Sequence, residues 1–297
     1  MATVAGRPID LLPPGEPAFA MTVDVEDWFH ANWQSMPATF DPAGGPRRVD
    51  AGVDVVLDAL GRTGARATFF VLGEVAREHP GLVERIARAG HEIGCHGMTH
   101  GLVYEEDAET FRRTVGDARK LLCDQSGQPV LGFRAPSWLV TERAPFAFDA
   151  IAAAGFCYDS SVFPAANYLY GIAGAPAGPY RIHTASGDVL VEVPPPVISV
   201  GGRRLGVGGG FYLRLLPLWV HRLAVSRYAR RGDPFLVYIH PRELDREAWP
   251  LRLPLSAKER TIRDFGLAAV PRKIARLLAG RRWEPVADVL RRRGLLV

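Results

Sequence analysis

Two histidines four residues apart, His96 and His100, are the residues of this sequence best suited to metal chemistry. They follow a short apolar run, 93–95, that is typical of the end of a β-strand. Neutral imidazole is a common ligand for transition metals, and two with this spacing can converge on one ion. The pair alone is a weak indication, because spaced histidines occur by accident and the HExxH glutamate is absent. A metal site therefore requires at least one further ligand from elsewhere in the chain.

The first candidate source of that ligand is the acidic run that contains Asp24, Glu26 and Asp27. It follows the apolar segment 19–25, which predicts a buried strand. Side chains alternate between the two faces of a strand, so Asp24 and Glu26 are expected on the same face if the strand extends that far.

The elements that must position these residues alternate between strands and helices. Apolar runs predict strands at 19–25, 67–72, 93–95, 130–135, 156–158, 189–193 and 235–239. Amphipathic spacing predicts helices at 53–60, 75–89, 105–123, 143–154, 213–230, 256–278 and 285–293. Continuous apolar strands are typical of a parallel sheet covered by helices, which indicates an α/β fold.

Polar residues recur just past the ends of these predicted strands. They are the acidic run at 24–27, His96, Arg134, Asp159 and His240. In a β/α barrel the loops at the carboxyl ends of the strands converge on the active site. This recurrence supports a functional site that includes the two histidines.

The composition indicates an ordinary globular protein of 297 residues, with 47% hydrophobic and 23% charged residues. We expect 1–17 to be a loose lead-in and 18–297 to form a single barrel domain, of which 246–297 is a helical C-terminal extension. The formal net charge is +4, and all but three of the 36 basic residues are arginine. No aromatic residues alternate with the arginine run 291–293, which argues against a nucleic-acid surface. A solvated face is the simpler interpretation, and a modest attraction to an anionic membrane leaflet stays open.

Cysteine usage and the N-terminal segment bear on the compartment. Cys95, Cys123 and Cys157 are too few for a disulfide framework, which favours a reducing environment. The N-terminal segment has no basic region followed by an apolar core, and no apolar run approaches the roughly 20 residues of a transmembrane helix. These features predict a cytoplasmic protein, with membrane apposition as an alternative.

Five motifs in order resemble the polysaccharide deacetylases that share the NodB-homology domain, carbohydrate esterase family 4. They are TVDVED at 22–27, ATFFVLG at 67–73, GHEIGCHGMTH at 90–100, GFRAP at 132–136 and YIHP at 238–241. The variant DVEDWFH is similar to that of the subgroup associated with exosortase-linked exopolysaccharide loci. The resemblance implies a distorted (β/α) barrel of about seven parallel strands, followed by C-terminal helices.

The function that this resemblance implies is removal of N-acetyl groups from amino sugars of an exopolysaccharide or its precursor by a metal-dependent hydrolase. The expected partner is therefore an N-acetylated saccharide and not a nucleic acid. One alternative is hydrolysis of small cyclic amides, as in the allantoinase-like relatives. The other is a saccharide-binding barrel without catalysis.

The resemblance also assigns catalytic roles. Asp24 would be the general base that deprotonates the attacking water, and His240 the acid that protonates the leaving amine. Arg134 would orient Asp24 through paired hydrogen bonds. The structural alternatives are a loop cap for Asp24, a capping or core histidine for His240 and a surface arginine for Arg134.

The resemblance gives the metal site two histidine ligands and one carboxylate. The family has two adjacent aspartates where this chain has Asp24 followed by Val25, so the carboxylate ligand is Glu26 or Asp27. Glu26 is preferred because it shares a strand face with Asp24, and Asp27 could instead cap the following loop. With His96 and His100 this set suits one divalent transition metal, with zinc as the first choice and cobalt or iron(II) as alternatives.

Substrate contacts are expected from Trp138, Asp159 and Tyr212. The two aromatic rings could stack on sugars or belong to the core. Asp159 could hold Arg134 or His240, or open a turn. The glycine-dense stretch 201–210 lacks the Gly-Lys-Ser/Thr of a phosphate loop, and its role is open.

Overall fold

The computed structural model describes residues 2–36, 45–165 and 170–296. In these ranges the strands are β1 (Thr3–Val4), β2 (Arg7–Leu11), β3 (Phe19–Val25), β4 (Thr68–Val71), β5 (Glu92–Cys95), β6 (Gly132–Phe133), β7 (Tyr158–Asp159), β8 (Tyr180–His183), β9 (Val189–Glu192), β10 (Val197–Val200), β11 (Arg203–Gly206) and β12 (Phe235–Ile239). The helices are α1 (Val49–Thr63), α2 (Gly73–Glu78), α3 (Leu82–Arg88), α4 (Ala108–Ser126), α5 (Ala147–Ala153), α6 (Gly210–Leu215), α7 (Leu218–Arg231), α8 (Pro241–Leu244), α9 (Ala257–Asp264), α10 (Val270–Leu278) and α11 (Val286–Arg292). None of the helices in the described ranges combines the length and hydropathy that crossing a bilayer requires.

Seven parallel strands form the centre of the main sheet, in the order β12-β3-β4-β5-β6-β7-β9. Their residues are almost all buried, because helices cover the sheet outside and the strands enclose a second core inside. The α/β class and the number of parallel strands predicted from the apolar runs are therefore confirmed.

The sheet closes into a distorted barrel through loop segments. Among the described residues no ladder joins β9 directly to β12. Instead, the backbone N–H of Val207 donates to the carbonyl of Pro196 at 3.0 Å, and that of Tyr238 to the carbonyl of Gly208 at 3.2 Å. Part of the glycine-dense stretch thus lies against β12, and a Cβ atom at Gly209 would lie only 1.8 Å from the Tyr238 carbonyl oxygen.

The N-terminal segment differs from expectation. Within the predicted lead-in 1–17, the described residues 2–17 include two strands: β1 and β2 pair with each other, and β2 pairs with β8. The sheet therefore extends across the boundary expected at residue 18. Strand β8 lies outside all the predicted strands and helices, and β10 and β11 form a separate hairpin.

The C-terminal segment, for which a helical extension is predicted, contains α9, α10 and α11 within 246–296 and packs on the barrel. The N-terminus of α11 lies at the amino end of the strands, where Val286 N–H donates to Thr68 Oγ1 at 2.8 Å and Ala287 N–H to Glu92 Oε2 at 3.1 Å. Apolar residues of α11 complete the core inside the barrel. Helix α11 thus closes the end of the barrel opposite to the polar residues described next.

Candidate active site and metal centre

Three side chains that follow strands β3 and β5, the two neighbours of β4, meet at the carboxyl end of the barrel. Glu26 follows β3, and His96 and His100 follow β5. The Nε2 atoms of His96 and His100 lie 2.9 and 3.0 Å from Glu26 Oε1. Each residue offers one ligand atom, and the three atoms lie within 4.8 Å of one another.

The orientation of His96 is fixed by its second ring nitrogen. Nδ1 lies 2.7 Å from the backbone carbonyl oxygen of Arg134. A carbonyl oxygen only accepts hydrogen bonds, so Nδ1 is the donor in this contact, and Nε2 is the nitrogen directed toward Glu26. This is the arrangement that usually orients a metal-binding histidine. The donor chemistry of the cluster therefore fits a divalent transition metal.

Arg134 is a fully buried cation with a complete set of partners. Its Nη1 donates to Asp24 Oδ1 at 2.7 Å and to Thr22 Oγ1 at 2.8 Å, and Nη2 donates to Ser160 Oγ at 3.0 Å. Its guanidinium lies 4.2 Å from the ring centre of Phe70. Burying a charge is costly unless it is paired, and here Asp24 is the pairing anion.

His240 faces both carboxylates of the site. Its Nε2 lies 4.0 Å from Asp24 Oδ2 and 3.9 Å from Glu26 Oε2. On the other side of the ring, Nδ1 lies 3.3 Å from Glu243 Oε2, which also accepts the His240 backbone N–H at 3.0 Å. Arg214 Nε lies 3.5 Å from Glu243 Oε1. The imidazole is thus held between an anion behind it and the cavity in front.

The charges of the site shift its pKa values. Burial pushes the pKa of Glu26 upward, but the neighbouring His100 and His240 hold that pKa well below its usual range. Burial lowers the pKa of His240, but Glu26 and Glu243 outweigh burial and raise it to about 8. The pKa of Glu243 falls to about 2, since its contacts with His240 and Arg214 outweigh burial.

Asp27, the alternative metal ligand, is occupied in a different way. Its carboxylate accepts the backbone N–H groups of Trp28 at 2.7 Å, Arg48 at 2.9 Å and Val49 at 3.4 Å. These donors include the start of α1, whose first N–H groups have no partner within the helix. Asp27 is not part of the cluster of Glu26, His96 and His100. Its carboxylate instead caps the loop that follows it and the start of α1.

The cluster opens into a cavity of about 350 Å³. Asp24, Glu26, both histidines, Arg134 and His240 line it, together with aromatic residues. Trp138 and Tyr212, from which substrate contacts are expected, are among these aromatic residues. Trp138 has a φ of +57°, a conformation that side chains other than glycine rarely adopt and that is often found at functional sites.

Asp159 was expected to contact substrate, and the structure contradicts this. Its side chain is fully buried and does not line the cavity, because it points into a polar cluster behind β7. Oδ1 accepts the Ser161 hydroxyl at 2.5 Å. Burial raises the pKa of Asp159 to about 6 and that of the adjacent Glu192 well above its usual range. The two carboxyl groups hold the loop that follows β7 through Ser161 and Val162. Ser160 of this loop contacts Arg134 and does not line the cavity.

Sequence reasoning missed Glu243, Thr22 and Ser160. Thr22 precedes Asp24 by two residues on the same strand, so alternation already places it on the same face. Glu243 follows His240 by three residues, which is the spacing of a capping box at the start of α8. No sequence signal distinguishes Ser160 from Ser161.

The barrel thus carries three histidines, three carboxylates and a buried arginine at its carboxyl end, where acid–base groups lie beside a possible metal-binding cluster. The family model described as "Polysaccharide deacetylase" matches residues 34–155. Residues 160–291 match a second one, described as "Domain of unknown function (DUF3473)". The match to the polysaccharide deacetylase family thus lies in the N-terminal part of the chain and covers less than half of it.

Curated relatives are similar over short segments only. A peptidoglycan-N-acetylglucosamine deacetylase of Listeria monocytogenes is 33% identical over 88 residues, which are 30% of this chain and 19% of that protein. A chitooligosaccharide deacetylase of Rhizobium leguminosarum bv. trifolii is 37% identical over 67 residues, 23% of this chain and 31% of that protein. The matches thus span about a fifth to a third of those relatives.

Solved structures share the fold along nearly the whole chain. A Mycobacterium smegmatis protein provisionally described as a polysaccharide deacetylase is 24% identical with a TM-score of 0.61, covering 98% of this chain and 97% of that one. The Puue allantoinase also has a TM-score of 0.61, at 16% identity, with 92% and 89% covered. These similarities establish the NodB-like barrel and do not discriminate between substrates.

Proposed function

We propose that the protein is a metal-dependent hydrolase that removes N-acetyl groups from amino sugars of an exopolysaccharide or its precursor. The observation that carries this proposal is the position of Asp24 and His240. Asp24 Oδ2 and His240 Nε2 lie 4.0 Å apart on the wall of one cavity, beside the cluster of Glu26, His96 and His100. Amide hydrolysis needs a base for the water and an acid for the amine, and both are present.

Asp24 acts as the general base. Its Oδ1 is engaged by Arg134, while Oδ2 faces His240 and the cavity. The buried guanidinium pairs with the carboxylate and fixes its direction. Asp24 can therefore take a proton from a water placed beside it without first reorienting.

His240 acts as the general acid. Its Nδ1 is held by Glu243, so Nε2 is the nitrogen that faces the substrate. Glu243 stabilises the protonated imidazole, which then gives its Nε2 proton to the nitrogen of the departing amino sugar.

Glu26, His96 and His100 would hold one divalent cation, with zinc as the first choice and cobalt or iron(II) as alternatives. When bound, such an ion polarises the carbonyl group of the amide and lowers the pKa of a coordinated water. The buried carboxylate supplies the negative charge that the site needs, and the His96 hydrogen bond to the Arg134 carbonyl keeps the ligand nitrogen pointing inward.

The aromatic residues on the cavity wall suit a sugar ring. Trp138 and Tyr212 present apolar faces next to polar catalytic groups, which is the usual surface for a saccharide. The relatives named above are described as acting on N-acetylglucosamine of peptidoglycan and on chitooligosaccharides. An N-acetylated hexosamine is therefore the substrate that we assign.

The test is release of acetate from N-acetylglucosamine oligomers by wild type and by Asp24→Asn. Asparagine keeps the shape of the side chain and cannot take the proton, so we expect the rate to fall by about 10²–10⁴-fold. Asp58→Asn is the matched control, since Asp58 is exposed on α1 and should leave the rate unchanged. Equal rates for wild type and Asp24→Asn would refute the proposal.

A further inference from the structure

Four large apolar side chains are exposed near the cavity. Leu215 is 47% exposed, Trp219 67%, Leu223 56% and Phe265 49%. We call this set the α7 patch. Single exposed apolar residues are normal on a protein surface, but a tryptophan and three further large side chains from adjoining segments need an explanation.

The four residues come from segments that pack side by side. Trp219 and Leu223 are one turn apart on α7, and Leu215 ends α6 one turn earlier in the chain. Phe265 lies next to α6, because the following residue, Gly266, packs closely on the Arg214 backbone. A Cβ atom at Gly266 would lie 2.9 Å from the Arg214 carbonyl oxygen. Lys273 of α10 reinforces this corner by donating to the Leu216 carbonyl at 2.8 Å.

The segments that carry the patch are rich in basic residues, and Asp264, the acid next to Phe265 in the chain, is paired with Arg263. Segment 203–232 has seven arginines and no aspartate or glutamate, and 265–283 has five basic residues and likewise no acid. Four arginines of α7 are exposed: Arg231 pairs with Asp233 at 2.8 Å, whereas Arg222, Arg227 and Arg230 have no ion pair within the described ranges. On α4, by contrast, Arg112 and Lys120 each pair with a carboxylate of the same helix.

The patch lies next to the mouth of the candidate active site. Phe211 and Ile262 line the cavity. Leu215 follows Phe211 by one turn on α6, and Phe265 follows Ile262 by three residues at the end of α9. An apolar strip therefore continues from the cavity wall to the α7 patch.

We propose that the α7 patch docks on a lipid bilayer with anionic headgroups and holds the cavity mouth at its surface. Tryptophan prefers the interface between water and acyl chains, where leucine and phenylalanine can insert beside it. The flanking arginines match the phosphates of anionic lipids in charge. The substrate class that follows is an N-acetylated saccharide anchored in the membrane by a lipid. This part of the inference rests on the proposed function, whereas the docking itself does not.

The test is sedimentation of the full chain with vesicles of phosphatidylcholine alone or with about 30% phosphatidylglycerol. We expect binding to the anionic vesicles, and at least about tenfold weaker partition for the double variant Trp219→Ala/Leu223→Ala. The matched control is Leu11→Ala/Val200→Ala, which removes residues of 67% and 55% exposure from strands β2 and β10. The control should bind as wild type does.

A second pair of variants tests the charge. Arg222→Glu/Arg230→Glu should weaken binding at least about tenfold, whereas Arg62→Glu/Arg113→Glu makes the same change in net charge on α1 and α4 and should have a much smaller effect. Raising the ionic strength from about 0.05 to about 0.5 M should weaken wild-type binding. Equal losses for the two charge pairs would show a general attraction of a basic protein and would overturn the proposal.

Other outcomes also decide. Absence of wild-type binding to anionic vesicles overturns the proposal. Self-association of the wild type in solution that Trp219→Ala/Leu223→Ala abolishes also overturns it, because the patch would then be a dimer interface. Acetate release from soluble oligomers distinguishes a failure of membrane docking from a failure of the proposed deacetylase function. We expect the patch variant to match wild type there, and a wild type that binds vesicles without releasing acetate would refute the function and not the docking.

Discussion

At the scale of single residues, Arg134 contacts both the hydrophobic core and the proposed catalytic base. Its guanidinium is fully buried between the rings of Phe70 and Trp138, at 4.2 and 4.5 Å, and contacts Asp24 at 2.7 Å. A planar, permanently charged group with donors in several directions can satisfy all these contacts at once, which a lysine cannot do. The position of the proposed base is therefore set by an arginine in particular.

Arg134→Lys should lower kcat by about 10²-fold and change KM little. The ammonium group can contact Asp24 but not also Thr22 and Ser160, so the carboxylate loses its fixed direction. Steady-state kinetics of acetate release measures this. Arg143→Lys is the control, because Arg143 stacks on Tyr104 on the surface away from the cavity. A kcat within twofold of wild type would contradict the role of Arg134.

Glu243→Gln should shift the upper limb of the pH–rate profile to lower pH. The acid must be protonated, so the rate falls as pH rises through the pKa of His240, which is raised to about 8. Glu243 contributes to that rise, and removing its charge lowers the pKa. Glu247→Gln, which alters a carboxylate with 78% side-chain exposure in the same stretch, should leave the limb in place. An unchanged limb in Glu243→Gln would exclude this positioning role.

The sequence predicts this site in part. Asp24, Glu26, His96, His100, Arg134 and His240 all face one cavity, because the ends of parallel strands converge. Asp159 also follows a strand, but a strand end does not tell whether a side chain faces the cavity or the polar cluster behind it. Glu243 looks like a surface charge of a short helix until the structure shows it buried against His240.

At the scale of elements, runs of apolar residues predict the strands that are buried on both faces of the sheet. The seven parallel strands are continuous apolar runs, so their approximate positions follow from the sequence. Strands β1, β2, β8, β10 and β11 escape prediction because they are short and partly exposed, and their pairing depends on distant segments. Asp27 illustrates the same limit, since its helix-capping partner α1 begins some twenty residues later.

Asp27→Ala should lower the stability of the protein and leave its metal content unchanged, whereas Glu26→Ala should lower the metal content. Loss of the Asp27 carboxylate leaves N–H groups at the start of α1 without their acceptor, so the free energy of unfolding should fall by about 1–2 kcal/mol with the metal content unchanged. Glu26→Ala should lose the metal. Urea unfolding and metal analysis of both variants measure this. Loss of metal from a folded Asp27→Ala protein would make Asp27 the ligand instead.

At the scale of the whole molecule, the two ends of the barrel have different tasks. Helix α11 closes the amino end with apolar residues and with hydrogen bonds to Thr68 and Glu92. The carboxyl end carries the cavity, the ionisable cluster and, beside the cavity, the apolar α7 patch with its flanking arginines. The segment matched by the family of unknown function supplies α6, α7 and α9, and thus one wall of the cavity and the surface that we assign to a membrane.

The central claim is that Glu26, His96 and His100 hold a metal ion. The measurement is the metal content of natively purified wild type and His96→Ala by mass spectrometry, with His79→Ala as a control at a histidine on the far side of α2. We expect about one equivalent of a first-row transition metal in wild type and in the control, and none in His96→Ala. A wild type without metal after reconstitution, or a His96→Ala protein that keeps its metal, would contradict the account.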